Sequence, residues 1–255
     1  MEVITAGTFR RAIDLKRCDH NCVVAWLEDD VHHLGVTIDH DQHNVIRVSA
    51  KALRVPWSTC PEATAGLQQL TGKPLFNRAS DIGLYLNMRS QCTHLFDLAG
   101  LAVAHAASGR ESRRYDVVVP VPTVRAWDHG RCLLEQGRAE LLRDGKLVFH
   151  WIFEDLQIVG PDQFAGLSLQ EGFRAWTEGM PVDEAEAATV LRRALTLVGA
   201  RRYDQHLQSP MDLPHMTGSC YTYQSAVAKG ARFVRILRDF SDTPDAMLRE
   251  SGKCP

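Results

Sequence analysis

The chain has 255 residues, of which 45% are hydrophobic and 24% charged, and its formal net charge is −2 at pH 7. These values are typical of a globular protein with a sizeable core, arranged as one large domain or two small ones. The near balance of 29 basic and 31 acidic residues provides no overall attraction to polyanions. We therefore expect neither nucleic acid nor a membrane as a partner.

The N-terminal stretch and the cysteines favour a cytoplasmic location. The stretch MEVITAGTFRRAIDL lacks the basic-then-apolar order of a signal peptide, and no run approaches the ~18 apolar residues of a membrane span. The seven cysteines are an odd number without disulfide-like spacing, which indicates free thiols in a reducing compartment. Base rates for oligomers favour a homodimer.

The first part of the chain predicts four strands, in the runs RRAIDLKRCD, CVVAWLEDD, HHLGVTIDHD and NVIRVSAKALRV. Since side chains alternate along a strand, we expect only one of His32 and His33 to point inward. His40 and His43 are expected to lie solvated in the polar turn DHDQHN. Asp30 and His32 share a strand face, which allows both to face one site.

Two helices follow, and each has a cysteine near its start. CPEATAGLQQLTGK predicts a helix that begins near Pro61, directly after Cys60. CTHLFDLAGLAVAHAAS predicts a helix capped by Thr93 and ended by Gly109. Unpaired N–H groups and the helix dipole favour a thiolate at such positions, as at Cys92.

The second part of the chain returns to strands and then helices. RRYDVVVPVPT predicts an edge strand or a strand end, and the Asp-Gly of ELLRDGKLVFHW predicts a hairpin turn. SLQEGFRAWTEG and PVDEAEAATVLRRALTLVGARRYD predict helices, the second capped by Asp183. SCYTYQSAVAKGARFVRILRDF predicts a strand, then a further strand or helix.

These elements predict an α+β fold with mostly antiparallel sheets packed against helices. Residues 1–110 would carry the Cys/His site. Residues 111–255 would form a second α+β half packed on it, either as a separate domain or as one continuous domain.

Cys92 and His94 are the first candidates for chemistry, because a thiol and an imidazole stand two residues apart at a helix start. His94 or His32 can act as a general base, and Tyr221 and Tyr223, on one predicted strand face, as proton donors. The competing interpretation is that Cys92 packs as a small apolar side chain and that the histidine is bonded to a carbonyl.

Substrate and metal candidates complete the predicted site. Aromatic side chains line pockets for planar molecules, so we assign Trp151 and Trp176 to substrate binding, together with Arg89; core packing is the alternative for the aromatics. No paired C-x-x-C, phosphate-binding glycine loop or G-x-S-x-G elbow occurs. The possible ligands of a single zinc or iron ion are Asp30, Cys60, Cys92 and His94.

The chain resembles a bacterial family of unknown function that is marked by a central Cys-Thr-His-Leu signature. The resemblance rests on several stretches between residues 8 and 245: VTIDHD, CPEATAGLQQLTGKPL, CTHLFDLAGLAVAHAAS, LLRDGKLVFHW, FAGLSLQEGFRAW, AEAATVLRRALTLVGARRYD and TGSCYTYQ. The signature of that family usually has glycine before the cysteine, where this chain has Gln91. The resemblance implies a role in the catabolism of aromatic or acyl compounds, including lignin-derived ones.

Residues 22–108 also resemble iron–sulfur scaffold proteins of the IscU/NifU type, which implies a SufE/IscU-like N-terminal fold. In that resemblance Asp30 corresponds to the ligand aspartate, Cys60 to the middle cysteine and Cys92 to the last one. Glu28 stands where the first cysteine is expected, and Gln91 where the histidine is expected. These departures favour a cavity, with or without a metal, over a cluster scaffold.

Three functions remain open from the sequence. The first is a cofactor-independent acid/base lyase acting on a small aromatic metabolite, for example by retro-aldol loss of a hydroxymethyl group. The second is a zinc- or iron-dependent enzyme or a metal carrier. The third is a non-catalytic ligand-binding module. We expect the first.

Overall fold

The computed structural model describes residues 6–128, 131–202, 207–234 and 236–249. The strands are β1 Thr8–Asp19, β2 Cys22–Asp29, β3 His33–His40, β4 Val45–Arg54, β5 Ser112–Pro120, β6 Val124–Asp128, β7 Arg131–Leu134, β8 Gly137–Arg143, β9 Lys146–Glu154 and β10 Gln157–Gly160. The α-helices are α1 Thr93–Ser108, α2 Phe173–Glu178, α3 Val182–Leu195 and α4 Ser225–Ala228. Short 3₁₀ helices span Cys60–Leu70, Ala79–Leu84, Met88–Ser90, Asp162–Phe164, Val198–Arg202, Pro210–Asp212, Pro214–Met216 and Pro244–Ala246.

Eight of these strands form one sheet in the order β10-β9-β8-β5-β1-β2-β3-β4, and β6 and β7 form a separate ribbon. All the pairings are antiparallel, so the predicted α+β class is confirmed. The pairing of β1 with β5 places strands from residues 1–110 and from residues 111–255 in the same sheet.

Strand β2 is buried along its whole length because both faces of the sheet are covered there. Val23 and Leu27 face the main core, which α1 shares. Trp26, on the opposite face, packs with Phe240 and Leu248 near the end of the chain. A strand buried on both faces reads as a continuous apolar run rather than an alternating one, as CVVAWL does.

Helices α1 and α3 lie on the main-core face of the sheet. α1 packs across β2 and β3, and α3 packs against β5, β8 and β9. The predicted stop of α1 is confirmed, since Gly109 takes a left-handed conformation with a φ of 64°. The predicted Asp-Gly hairpin joins β8 to β9, with positive φ at Asp144 and Gly145. No helix within the described ranges is long and apolar enough to cross a membrane.

The strand predicted within residues 219–240 is wrong. That segment has turns and then the single turn of α4, and residues 231–234 and 236–240 form no helix or strand apart from the isolated bridge of Phe233 with Trp57. Its backbone bonds go to loops instead of to a strand ladder: the amide of Val234 donates to Pro56 and that of Arg238 to Asp30. Tertiary contacts therefore override the β propensity of this stretch.

Several predicted helix ends also differ. The cap of α3 is Pro181 and not Asp183, which lies in the first turn. The cap of α1 is Cys92, with Thr93 as the first helical residue. The helix predicted from SLQEGFRAWTEG is limited to the six residues of α2, and that predicted from CPEATAGLQQLTGK is a 3₁₀ helix. The predicted end of the last helix, at residues 203–204, lies outside the described residues.

Candidate functional site

A cavity of about 490 Å³ lies where the β2–β3 turn, the start of α1, the 3₁₀ helix Cys60–Leu70 and residues 219–223 meet. We call it the histidine cavity. Its lining includes six of the side chains proposed from the sequence, namely His32, Cys60, Cys92, His94, Tyr221 and Tyr223. Four separate stretches of the chain thus bring these side chains to one hollow.

His32 is held by its neighbour Asp29 through a compact turn. One oxygen of Asp29, Oδ1, accepts from the backbone amides of Val31 at 2.9 Å and His32 at 2.7 Å, and lies 3.1 Å from Nδ1 of His32. The other oxygen, Oδ2, pairs with the buried guanidinium of Arg11. Burial favours a higher pKa for Asp29, but His32 and Arg11 outweigh it and hold that pKa well below its ordinary value. An ionised carboxylate therefore fixes the orientation of the imidazole.

His94 stacks on His32 inside the cavity. The two ring centroids are 4.0 Å apart and the rings are tilted by 30°. Burial, followed by the nearby His32 and Arg11, lowers the pKa of His94 well below the ordinary value. His94 is consequently neutral at pH 7 and packs as an aromatic ring against its neighbour.

The thiols in the cavity are protonated. Burial raises the pKa of Cys60 to about 11 and that of Cys92 to about 12, and it also raises the pKa of Cys220. Sγ of Cys92 lies 3.9 Å from Nδ1 of His94, and Sγ of Cys60 lies 3.5 Å from Oγ1 of Thr222. The expectation that a helix start would favour a thiolate is wrong here, because the loss of hydration outweighs the helix dipole.

The two tyrosines contact the cavity from the loop at residues 219–223. Tyr221 is half-exposed and donates its hydroxyl to Oε2 of Glu62 at 2.8 Å. Tyr223 is buried with its ring at 83° to that of Trp57. They contribute one hydroxyl near the surface and one within the interior.

The histidines of the predicted strand turns are more buried than expected. His32 and His33 are both buried, because the β2–β3 turn, and not a regular strand, carries His32. His33 lies 3.6 Å from the carboxylate of Glu28. His40 closes β3 and is buried as well, whereas His43 is exposed as predicted.

Four other proposed residues do not line this cavity. Asp30 is fully buried on the other side of the turn, 2.9 Å from Arg201. Trp151 and Trp176 belong to an aromatic core cluster, with ring centroids 6.2 Å apart. Arg89 is exposed.

The sequence did not single out Asp29 or Arg193. Asp29 begins the turn DDVH, and an aspartate at the first position of a tight turn often accepts from the backbone amides that follow it, so this signal was present. Arg193 lines the cavity from α3 and is held by Asp97 at 2.6 Å. Its approach depends on how α3 packs against α1, and no local pattern indicates this.

The chemistry available here is proton transfer. The cavity combines an imidazole held by a carboxylate, a neutral second imidazole, protonated thiols, tyrosine hydroxyls and one guanidinium. Among the described residues no group of three or more His, Cys, Asp or Glu side chains is placed to hold a metal ion. Of the four proposed ligands, Cys60, Cys92 and His94 line the cavity and Asp30 does not.

The family match described below covers the part of the chain that carries His32 and His94. A search of curated proteins finds no match. The resemblance to iron–sulfur scaffold proteins is not among the matches and stays a prediction. Residues 14–108 match the model of the family described as Protein of unknown function (DUF2889), so the expectation of an uncharacterised family is confirmed for that part of the chain.

Proposed function

We propose that the protein is a cofactor-independent acid/base lyase that acts on a small aromatic metabolite, with His32 as the general base. The observation that carries this proposal is the 3.1 Å contact between Asp29 Oδ1 and His32 Nδ1 at the wall of the histidine cavity. A carboxylate accepts the proton of Nδ1, so the lone pair of Nε2 is the one available to a substrate.

The surroundings of His32 support acid/base chemistry over covalent catalysis by cysteine. A thiol is a nucleophile only as thiolate, and burial keeps Cys60 and Cys92 protonated near neutral pH. The neutral ring of His94 stacks on His32 and shields one of its faces from water. His32 thus has the geometry of a general base, with Nδ1 held by a carboxylate and one ring face covered by His94.

A retro-aldol loss of a hydroxymethyl group fits this arrangement. His32 takes the proton of the substrate hydroxyl, the bond between the two carbons breaks, and formaldehyde leaves. The electron pair remains on the substrate carbon, where a conjugated aromatic ring spreads the charge, and that carbon then takes the proton back. Arg193 and the tyrosine hydroxyls supply positive potential and hydrogen bonds for the charge that develops.

The experiment measures formaldehyde release from a panel of aryl compounds that carry a hydroxymethyl group, with and without a chelator. We expect turnover that survives the chelator and falls at least roughly 100-fold in His32→Gln, since a positioned base contributes about 10²–10⁴-fold. The matched control is His43→Gln, which removes an exposed histidine from a turn outside the cavity. It should retain wild-type turnover.

Two results would replace this proposal with an alternative. Turnover that a chelator abolishes, and that zinc or iron restores, would indicate the metal-dependent enzyme; metal analysis of protein purified without added metal checks this independently. A panel compound that raises the melting temperature but is never converted would indicate a binding module.

A further inference from the structure

A second cavity, of about 650 Å³, adjoins the histidine cavity, since Arg192 and Arg193 of α3 line both. We call it the arginine cavity. Its wall carries five arginines and two carboxylates: Arg11, Arg78, Arg174, Arg192, Arg193, Asp97 and Glu186. Its volume falls within the range of sites for small organic ligands.

Both carboxylates on the wall are already satisfied. Asp97 accepts from Arg193 at 2.6 Å, and Glu186 accepts from the hydroxyl of Tyr115. Burial also raises the pKa of Glu186, which favours its neutral form. Arg11 and Arg174 also have carboxylate partners, Asp29 and Glu178, so the positive excess on this wall comes from Arg78 and Arg192.

Two of the arginines have no carboxylate partner among the residues that the structure describes. Arg78 donates to the carbonyls of Thr177 at 3.2 Å and Met180 at 3.1 Å. Arg192 donates to a backbone carbonyl, and its guanidinium lies 5.2 Å from the centroid of the Phe173 ring. A guanidinium has five N–H donors, so each retains donors for a ligand.

A third arginine is buried and incompletely bonded. Arg11 is 1% exposed, and within the described part of the chain its Nε has no hydrogen-bond partner. A buried donor without a partner costs free energy comparable to a lost hydrogen bond. This donor belongs to a residue that lines the arginine cavity.

The rim of the same cavity is apolar. Leu84, Met88 and Val182 are exposed by 70%, 38% and 37% and all line it. Large apolar side chains exposed together around a cavity mark a binding surface. Arginines on the wall with an apolar rim fit a ligand that has an anionic group and an apolar body.

We propose that the arginine cavity binds an amphipathic organic carboxylate. The carboxylate accepts hydrogen bonds from the arginine wall, where guanidinium groups bind planar carboxylates in bidentate fashion. The apolar body, an acyl chain or an aryl ring, covers the rim residues. This site goes beyond the proposed lyase activity, because its occupation is measured as binding and needs no reaction.

The test is calorimetric titration of the full chain with decanoate, 2-naphthoate and neutral decan-1-ol. Saturable binding of either carboxylate at one site per chain is expected, with decan-1-ol bound at least about tenfold more weakly. The stronger of the two carboxylates identifies an acyl or an aryl source. His32→Gln should bind as the wild type does, so failure of the lyase proposal and failure of this one remain distinguishable.

Two variants locate the site. Arg78→Gln removes a charge from the arginine cavity alone, and Leu84→Asp places a carboxylate on the rim at a position exposed enough not to affect folding. Each should weaken carboxylate binding at least about tenfold. Leu147→Asp makes the same change at a site that is 59% exposed and outside the cavity, and it should bind as the wild type does.

Three results would overturn the proposal. The first is an absence of saturable binding by both carboxylates. The second is equal affinity for decan-1-ol, because the arginines would then play no part in recognition. The third is unchanged affinity in Leu84→Asp, which would place the ligand elsewhere.

Discussion

Asp29 and Asp30 are adjacent, and both are fully buried, yet they face different surroundings. Asp29 is surrounded by donors: two backbone amides, His32 and Arg11. Asp30 has Arg201 at 2.9 Å, but neither of its oxygens makes a hydrogen bond of good geometry within the described residues.

Their pKa values move in opposite directions for this reason. Donors keep the pKa of Asp29 low, whereas burial raises that of Asp30 to about 8 even though Arg201 opposes the shift. Burial alone therefore does not define a functional carboxylate; the number of donors directed at it does. We interpret Asp29 as the residue that positions His32, and Asp30 as the buried structural partner of Arg201.

The largest effect is expected from Asp29→Asn. The amide leaves Arg11 buried without its charge partner, so unfolding should become easier by about 3–5 kcal/mol in chemical denaturation. The imidazole of His32 loses the acceptor that fixes its tautomer, and turnover should fall roughly 10²–10⁴-fold. The same substitution at Asp41, in an exposed turn, should leave both quantities near wild type. Full activity in Asp29→Asn would remove the distinction between the two aspartates.

A smaller and purely structural effect is expected from Asp30→Asn. Arg201 loses a buried carboxyl partner at 2.9 Å but keeps Asp239 at 2.8 Å. The free energy of unfolding should fall by about 1–3 kcal/mol, with turnover unchanged. Denaturation and formaldehyde release measure the two quantities. A loss of turnover comparable to that of Asp29→Asn would contradict the role assigned to Asp30.

The pH dependence of stability tests whether His94 is neutral in the folded protein. Since folding lowers the pKa of His94, its contribution is present in full above about pH 6.5 and is lost as the pH falls below that value. His94→Gln should therefore flatten the stability curve between about pH 6.5 and 5. Asp29 does not interfere, because its contribution is lost only below about pH 3.8.

The difference between the wild-type and His94→Gln curves isolates His94. The pKa of His105 is lowered to about 4, and its effect is common to both proteins. Parallel curves over this range would mean that folding does not lower the pKa of His94.

The smallest effect concerns the thiols. With pKa values of about 11 and 12, Cys60 and Cys92 should be thiolate to only about 10⁻³–10⁻⁴ at pH 8. Alkylation by iodoacetamide, followed by peptide mass spectrometry, should modify exposed Cys18 at least about 100-fold faster. Rapid modification of Cys92 would indicate a charged, reactive cavity and would favour thiolate chemistry.

Much of the scaffold could be predicted from local pattern. The strands β1 to β4, helix α1 and the β8–β9 turn follow from residue periodicity and turn chemistry within a few neighbouring residues. The placement of Cys60, Cys92 and His94 around one cavity follows partly from this, since the first two stand at helix starts.

The partners of the buried charges could not be predicted. Arg11 and Asp29 are on neighbouring strands whose register sets their contact, and Arg201 reaches Asp30 from 171 positions along the chain. Such pairs are fixed by how the elements pack, which the sequence near either residue does not encode. The prediction of a strand within residues 219–240 was wrong for the same reason, since the contacts of this segment with distant loops outweigh its β propensity.

The contacts of Arg238 and Leu248 with residues at the β2–β3 turn have a consequence for folding during synthesis. Glu28 accepts from the amide of Leu248 at 2.6 Å, and the carbonyl of Asp30 accepts from the amide of Arg238 at 2.9 Å. As the nascent polypeptide leaves the ribosome, this turn emerges more than 200 residues before these two donors do. Glu28 and the carbonyl of Asp30 therefore lack these two donors until more than 200 further residues have been synthesised, so these contacts form late.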